Sequence, residues 1–294
     1  MSVLHIREYK KMQRYTETVC GVTGEMKIRD YLKRRIGLST ALIAQVKFDN
    51  VMLNGEIVYM RAMVKNGDVI EIALPDEDSE NIEPMDIPLE IVYEDDYVIA
   101  VNKPRNMPVH PSRGNHLPTV ANAIRAYVGH PFVFRAINRL DRDTSGIVLI
   151  AKDRLSGAKL YQAMKEREFG KTYLAIVEGV PSPSHGMIDL PIAREAEGEM
   201  KRVVREDGKQ AITEYEVIEV LDNNTSKVKV TLHTGRTHQI RVHMAHIGHA
   251  LVDDFLYGTR GEDTYHLHCN SLSFPHPFTG ETITLTADEP SDQN

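Results

Sequence analysis

The 294-residue sequence predicts an α+β fold, with a mixed, mainly antiparallel central sheet, flanking helices and a small αβ domain in front of it. Three observations support this. In the larger part of the chain, strand-like runs follow one another with only a few helices between them, which argues against repeated parallel crossover units. The front part shows a separate pattern of two short helices and a small β unit. An acidic segment interrupted by prolines lies between the two parts.

These patterns divide the chain into five segments. We expect residues 1–25 to form an N-terminal extension that contains at most an edge strand. Residues 26–74 predict the small domain, 75–90 a linker, 91–286 the large domain and 287–294 a C-terminal tail.

The small domain begins with two predicted helices. Ile28, Leu32 and Ile36 recur at helical spacing, Gly37 ends that helix, and Ser39 can cap the next one. Two Asn-Gly pairs follow, at residues 54–55 and 66–67, each flanked by strand-like residues. Because Asn-Gly favours the tight turns of hairpins, both pairs predict hairpin turns.

The linker explains most of the formal net charge of −7. Residues 75–96 carry 10 acidic residues and no basic one. Since like charges repel and proline stiffens a chain, we expect the linker to stay extended and to let the small domain swing. The acidity of this segment is compatible with basic surfaces elsewhere in the chain. The overall charge nevertheless argues against a protein of high pI that binds non-specifically.

The large domain opens with a predicted hairpin whose turn holds residues 94–96. Helices are predicted after Pro118, after Asp153 and from about Thr237. Short apolar or alternating runs predict strands between and after these helices, at 147–151, 173–177, 211–220 and 227–232.

Several classes of protein and site are disfavoured by what the sequence lacks. No apolar run approaches the length of a membrane span, and the N-terminus has no apolar core of a signal peptide. The two cysteines, Cys20 and Cys269, are far apart in the sequence. We expect both to be reduced thiols and the protein to be cytoplasmic. No heptad pattern calls for a protein partner. Four histidines near the predicted last helix lack the spacing of a metal site, and we expect them to lie on a polar surface: His238, His243, His246 and His249.

The most informative stretch is the charged run Phe134–Gly146, which leads directly into a buried strand. Asp141 lies between arginines, and we expect it to remain ionised because nearby opposite charge favours the charged form. Such a carboxylate can act as a nucleophile or base. A solvated surface turn is the simplest alternative. An aspartic-protease turn at 143–146 is a weaker one, because the second copy which that chemistry needs is absent.

Four ordered motifs give this run a more specific meaning. Arg139–Gly146 resembles the signature of the pseudouridine synthases that modify large-subunit ribosomal RNA and some transfer RNAs, the RluA-like family. Three further stretches resemble motifs of that family in the same order: Tyr93–Pro104 with Val109–Pro111, Lys171–Gly179, and Thr234–His243. The resemblance covers roughly residues 90–285 and implies the α+β fold predicted above.

The small domain resembles an RNA-binding domain named after a small-subunit ribosomal protein, which often precedes such catalytic domains. The family usually has an arginine where Thr40 stands here. Lys33, Arg34 and Arg35 on the first helix could contact phosphate instead, or could simply form a solvated face.

The resemblance implies that the chain converts uridine to pseudouridine after base flipping, with no cofactor or metal. Asp141 matches the catalytic aspartate, whether it attacks C1′ of the sugar or takes a proton from C2′. Arg236 matches the arginine that pairs with this aspartate, and Tyr173 matches the tyrosine that stacks on the uracil. Ribosomal RNA is the expected partner and transfer RNA a possible one.

The remaining matched residues concern RNA binding. Arg139 matches the arginine that fills the space left by the flipped uridine, and Asn138 replaces the family's usual histidine. Arg142 and Asp143 are expected to shape the loop and hold backbone phosphate. Two other functions stay open at this point: a non-catalytic RNA-binding or ribosome-assembly protein on the same fold, and a glycosidase with paired carboxylates.

Overall fold

The computed structural model describes residues 12–46, 50–75, 82–111, 118–129, 132–258 and 265–289. The small domain consists of two helices and six short strands: β1 Met12–Thr18, β2 Met26–Lys27, α1 Ile28–Arg34, α2 Thr40–Gln45, β3 Val51–Leu53, β4 Glu56–Ile57, β5 Met63–Val64 and β6 Val69–Pro75. Four strands form a sheet in the order β1-β6-β3-β4, and β2 pairs with β5.

Both helices of the small domain lie where the sequence predicted them, but its boundary does not. The Ser39 hydroxyl accepts from the backbone N–H of Leu42 at 3.1 Å and so caps α2. The segment predicted to be an extension contributes β1, which pairs antiparallel with β6 along its whole length. Tyr15, Val19 and Val22 are buried in the core of this domain. The small domain therefore includes residues 12–25, because β6 needs a partner on that edge.

The two Asn-Gly pairs behave differently. Asn54-Gly55 joins β3 to β4 in the predicted hairpin. The hairpin prediction at Asn66-Gly67 is wrong, since β5 pairs with β2 whereas β6 pairs with β1 and β3. The Asn66 side chain accepts from the N–H of Val22 at 2.8 Å and donates to its carbonyl at 2.9 Å. This amide ties the turn to the start of the domain instead of to a hairpin partner.

The large domain is built on one ten-stranded sheet in the order β12-β15-β16-β11-β17-β10-β8-β7, with β18 added to β17 and β9 to β10. Among the pairs formed by described strands, only β10 and β17 run parallel. The predicted α+β fold is thus confirmed. Its elements are β7 Glu90–Glu94, β8 Val98–Lys103, α3 Val120–Val128, β9 Arg135–Ala136, β10 Ser145–Ala151, α4 Arg154–Lys165, β11 Gly170–Glu178, β12 His185–Asp189, β13 Ile192–Arg194, β14 Arg202–Val204, β15 Ile212–Leu221, β16 Thr225–Leu232, α5 Gln239–His246, β17 Leu267–Pro275 and β18 Thr282–Thr286.

The central strand β10 has every residue buried, and it begins at the end of the charged run. Gly146 on this strand has φ +111°, and a Cβ there would lie 2.4 Å from the carbonyl oxygen of Cys269 on β17. A side chain would therefore force apart the parallel pair of strands, which meets beside the candidate site.

We expect Gly146→Ala to lower the free energy of unfolding by about 3 kcal/mol, from backbone strain and the forced separation of the strands. Chemical denaturation followed by circular dichroism measures this. The matched control is Gly24→Ala, because Gly24 also has positive φ but no heavy atom within 4 Å of the added Cβ. Equal losses in the two variants would contradict the close approach of β10 and β17.

The described part of the linker is anchored to the large domain. Residues 82–89 contain no helix or strand, but the backbone N–H of Met85 donates to the carbonyl of Asn122 on α3 at 3.1 Å. The Asn122 side chain donates in return to the carbonyl of Glu83 at 2.7 Å. Residues 76–81 lie outside the described residues. At the other end, Ala287 is buried, so the predicted tail begins inside the fold.

The small domain is seated on α4, which differs from the swinging arrangement predicted above. Leu155 on α4 is 1% exposed and belongs to the hydrophobic core of the small domain. The Lys159 ammonium lies 2.5 Å from the Glu17 carboxylate of β1. Gly37, at the end of α1, approaches α4 so closely that a Cβ would lie 3.0 Å from the carbonyl oxygen of Ala158. An apolar contact and an ion pair thus join the two domains.

No helix within the described ranges is both long and apolar enough to cross a membrane.

Candidate active site

The charged run forms a loop between β9 and β10 that is held by buried polar groups. Lys103, fully buried at the end of β8, donates from its ammonium to three backbone carbonyls at 2.8–2.9 Å, those of Pro104, Met107 and Arg142. Burial lowers the pKa of Lys103 to about 7, and the negative charge of Asp143 acts in the opposite direction. The carbonyl of Arg142 also accepts from the N–H of Met107 at 3.1 Å. These hydrogen bonds fix the backbone of the loop to the end of β8.

Asn138 holds the loop to the strand that follows it. Its side-chain amide donates to the carbonyl of Ile147 at 2.8 Å, and its carbonyl accepts from the N–H of Leu149 at 2.8 Å. Asn138 is 5% exposed, so its predicted contact with RNA is wrong. An amide suits this place because it offers one donor and one acceptor to the backbone of β10.

We expect Asn138→Ala to destabilise the fold by about 2–3 kcal/mol, because two buried backbone groups lose their partners. Thermal or urea unfolding measures this loss. The RNA affinity of the folded fraction and its salt dependence should stay as in the wild type. A reduced salt dependence at unchanged stability would restore the RNA-binding role.

The Asp141 carboxylate faces two positively polarised groups. Its Oδ2 lies 3.6 Å from Nη1 of Arg241 and 3.7 Å from Nε2 of His238. The Asp141 side chain is 33% exposed, whereas that of Arg241 is only 4% exposed. A carboxylate in this position is backed by a buried cation and is still accessible from solvent.

Arg241 is oriented by a second, fully buried carboxylate. Asp254 accepts from Nε and Nη2 of Arg241 at 2.6 and 2.7 Å, which leaves Nη1 to face Asp141. The guanidinium also lies 4.3 Å from the ring centre of Tyr265 and 5.0 Å from that of Tyr257. Burial lowers the pKa of Arg241, but hydrogen bonding to Asp254 and the nearby negative charges outweigh this and raise it. Arg241 is therefore a fixed cation.

The predicted pairing of Arg236 with Asp141 is wrong. Arg236 is exposed, and its Nε donates to the carbonyl of Gln210 at 2.9 Å. The helix α5 begins only at Gln239, so Arg236 lies outside it, while Arg241 lies in its first turn. The right motif was identified, but the arginine that reaches the carboxylate is the second one.

Tyr173 lies on β11 and interacts electrostatically with Asp141. Its side chain is almost fully buried, at 6% exposure. Burial raises the pKa of Tyr173 well above its usual value, and the nearby Cys269 and Asp141 act in the same direction. The phenol therefore stays protonated at neutral pH. Tyr265, also buried, bonds through its hydroxyl to Thr144 of the loop at 3.2 Å.

The predicted RNA-binding residues divide into two groups. Arg139 is exposed at the loop, and it has no hydrogen-bond or ion-pair partner within the described ranges. Lys33 and Arg34 are exposed on α1 in the same way. By contrast, Arg142 makes two hydrogen bonds to Asp143, at 2.7 and 2.9 Å, and so shapes the loop as expected.

Arg35 is also occupied within the small domain, since its guanidinium donates to the carbonyl of Gly21. Of the four histidines considered above, one is buried and one, partly exposed, faces the carboxylate. His243 is fully buried and bonds to Thr213 and to the carbonyl of Leu190. His238 faces Asp141. Among the residues that the structure describes, no group of three or more histidine, cysteine or acidic side chains is placed to hold a metal ion.

Sequence reasoning missed five residues of the site. His238 and Arg241 belong to the motif at 234–243, so a helix start assigned two residues later would have indicated them. Asp254, Tyr257 and Tyr265 follow that motif in a segment without a recognised pattern. Only the folded chain brings these three to Arg241.

The assembled site contains an accessible carboxylate, a fixed cation behind it and a buried aromatic ring beside it. The exposed Arg139 lies on the same loop as the Asp141 carboxylate. This set can hold a planar base against the ring while the carboxylate acts on the attached sugar or on the base. The fold and the site thus fit a class of enzyme whose site is built around an accessible carboxylate.

Comparisons with known proteins agree with this class. The family model described as RNA pseudouridylate synthase matches residues 97–246. An uncharacterized RNA pseudouridine synthase of Bacillus subtilis, YjbO, is 38% identical over 92% of this chain and 97% of its own length. Ribosomal large subunit pseudouridine synthase D of Haemophilus ducreyi is 38% identical over 90% of this chain and 85% of its own length.

A solved structure, human RNA pseudouridylate synthase domain containing 1, is 28% identical and superposes with a TM-score of 0.60, covering 71% of this chain and 87% of its own. The chain belongs to the RNA pseudouridylate synthase family and is an RNA pseudouridine synthase.

Proposed function

We propose that the chain converts specific uridines of large-subunit ribosomal RNA to pseudouridine and that Asp141 is its catalytic residue. The observation that carries the assignment of Asp141 is its position: one-third exposed and within 4 Å of the buried Arg241 and His238. A carboxylate beside a buried guanidinium and accessible from solvent is suited to attack or deprotonate.

The isomerisation breaks the bond between C1′ and N1 of uracil and forms a bond between C1′ and C5. N1 gains a proton and C5 loses one, so the reaction has no net redox change and needs no outside energy. Asp141 supplies the charge that acts on the sugar. Arg241 keeps that charge in place, while the buried walls of the site limit access of water to the intermediate.

Two further residues receive and hold the flipped nucleotide. Tyr173 stacks its ring on the uracil, because the protonated phenol is a poor base but a good platform. Arg139, exposed on the loop, occupies the space that the uridine leaves in the RNA, since a planar guanidinium can stack on the neighbouring bases.

The choice of ribosomal RNA is supported by two observations. Several relatives at 35–39% identity are named ribosomal large subunit pseudouridine synthase D. The small domain, seated on α4, adds exposed bases at Lys33 and Arg34 which can contact phosphate of a large RNA. This cellular role places the protein in the cytoplasm.

The test compares pseudouridines in ribosomal and transfer RNA from a deletion strain and its parent, mapped by chemical sequencing. The proposal predicts the loss of particular large-subunit sites and their return with the wild-type gene but not with Asp141→Asn. Loss only from transfer RNA would contradict the choice of target. Unchanged pseudouridines would favour a binding or assembly role, and release of free uracil in vitro would indicate a glycosidase.

A further inference from the structure

The side chain of His238 lies between the catalytic carboxylate and a buried tyrosine. Its Nε2 is 3.7 Å from Oδ2 of Asp141, and its Nδ1 is 2.8 Å from the hydroxyl of Tyr257. The two rings meet edge to face, with their centres 5.7 Å apart. The three side chains thus lie in a row, with His238 between the Tyr257 hydroxyl and the Asp141 carboxylate.

The backbone of His238 is held in an unusual conformation that directs the ring to this place. Its φ and ψ are 57° and 20°, the left-handed region that residues other than glycine rarely adopt. The neighbouring Gln239 fixes the turn, because its side chain accepts from the N–H of Arg236 at 2.9 Å and donates to the carbonyl of Ile212 at 3.0 Å. Strained residues of this kind cluster at active sites.

The hydrogen bonds around Tyr257 determine which ring nitrogen of His238 carries the proton. The backbone N–H of Arg202 donates to the Tyr257 hydroxyl at 2.9 Å. The hydroxyl then has its own proton to donate, and we assign Nδ1 of His238, 2.8 Å away, as the acceptor of that proton. A neutral ring that accepts at Nδ1 must carry its proton on Nε2. That proton points at Asp141, which as a carboxylate can only accept.

The charges around His238 favour this neutral form. Burial lowers the pKa of His238, and the positive charges of Arg241 and Arg202 lower it further, whereas Asp141 and Asp254 act in the opposite direction. The ring therefore offers Asp141 an N–H dipole in addition to the guanidinium charge of Arg241.

We propose that His238 is a positioning residue for Asp141 and that Tyr257 sets its tautomer, so that Nε2–H donates to the carboxylate when RNA is bound. The inference rests on the function proposed above. Separations of 3.7 Å commonly shorten when a substrate closes the site. His238 and Arg241 would then both bind Oδ2 of this carboxylate and leave Oδ1 free to face the nucleotide.

The test measures single-turnover tritium release from RNA labelled at uracil C5, as a function of pH, for the wild type, three variants and two control variants. His238→Gln keeps an N–H donor near the position of Nε2, while His238→Leu removes it, and both bear the same backbone strain. Tyr257→Phe removes only the hydroxyl. The matched controls are His233→Gln and Tyr127→Phe, two exposed residues that pair with Glu214 and Glu94 and are expected to retain wild-type rates.

We expect His238→Leu to slow the reaction about tenfold, with the acidic limb of its rate profile displaced to higher pH, because the ionised carboxylate loses a donor. His238→Gln should stay within about threefold of the wild type, and Tyr257→Phe should fall between the two. RNA affinity should change little in all three.

Equal losses in His238→Gln and His238→Leu, with an unmoved pH limb, would overturn the positioning role. A Tyr257→Phe rate equal to that of the wild type beside a slow His238→Leu would overturn the tautomer assignment. No release by the wild type would instead refute the proposed function itself, so the two failures are distinguishable.

Discussion

The Asp141→Asn variant is expected to fold normally and to lose pseudouridine formation, with kcat lowered by at least about 10³-fold. An amide has nearly the shape of the carboxylate but can neither attack a sugar carbon nor accept a proton from it. Because the side chain is one-third exposed, the lost interaction with Arg241 should change the free energy of unfolding by no more than about 1 kcal/mol.

Single-turnover tritium release and urea denaturation measure the two effects in parallel. The matched control is Asp222→Asn, an exposed residue in the turn between β15 and β16, which should behave as the wild type. Release at the wild-type rate by Asp141→Asn would show that another group performs the chemistry. Unfolding of the variant would show that the carboxylate is mainly structural.

The Arg241→Lys variant is expected to lower kcat by about 10²-fold, the usual effect of removing one fixed donor from an active site. The guanidinium bonds to Asp254 through Nε and Nη2 and presents Nη1 to Asp141. A lysine ammonium keeps the charge but has no planar fork, so it cannot serve both carboxylates in this geometry. The free energy of unfolding should fall by about 2 kcal/mol, because Asp254 stays buried with a poorer partner.

Arg236→Lys provides the comparison that separates the two arginines of the motif. Arg236 is exposed and bonds to a backbone carbonyl, so its replacement should leave kcat within about threefold of the wild type. Steady-state kinetics and denaturation of both variants measure this difference. A large loss in Arg236→Lys with an active Arg241→Lys would reverse the assignment made from the structure.

Much of the fold follows from local sequence signals. The helices α3 and α4 have explicit starts, with Thr119 and Asp153 as caps, and their apolar spacing is regular. The buried strand β10 is a continuous apolar run. The pairing of β1 with β6 gives no such signal, because it joins residues more than 50 positions apart in the sequence. The docking of the small domain on α4 is a tertiary contact of the same kind.

The candidate site shows the same limit. Asp141 and Tyr173 could be proposed from the sequence because their motifs are contiguous. Asn138 was assigned to RNA binding, since an amide in a charged loop looks like a surface residue until its two bonds to β10 are seen. Arg241 was missed because the left-handed turn at His238 delays the start of α5, and no helix-start signal predicts that turn.

The central claim is that Asp141 faces a flipped nucleotide in a pocket completed by Tyr173 and Arg241. The most direct measurement is a crystal structure of the inactive Asp141→Asn protein bound to its RNA. The account predicts one uridine outside the base stack, with its ring against Tyr173, its sugar at position 141 and the guanidinium of Arg139 in the vacated space. A uridine that remains stacked in the RNA, or that lies away from position 141, would contradict it.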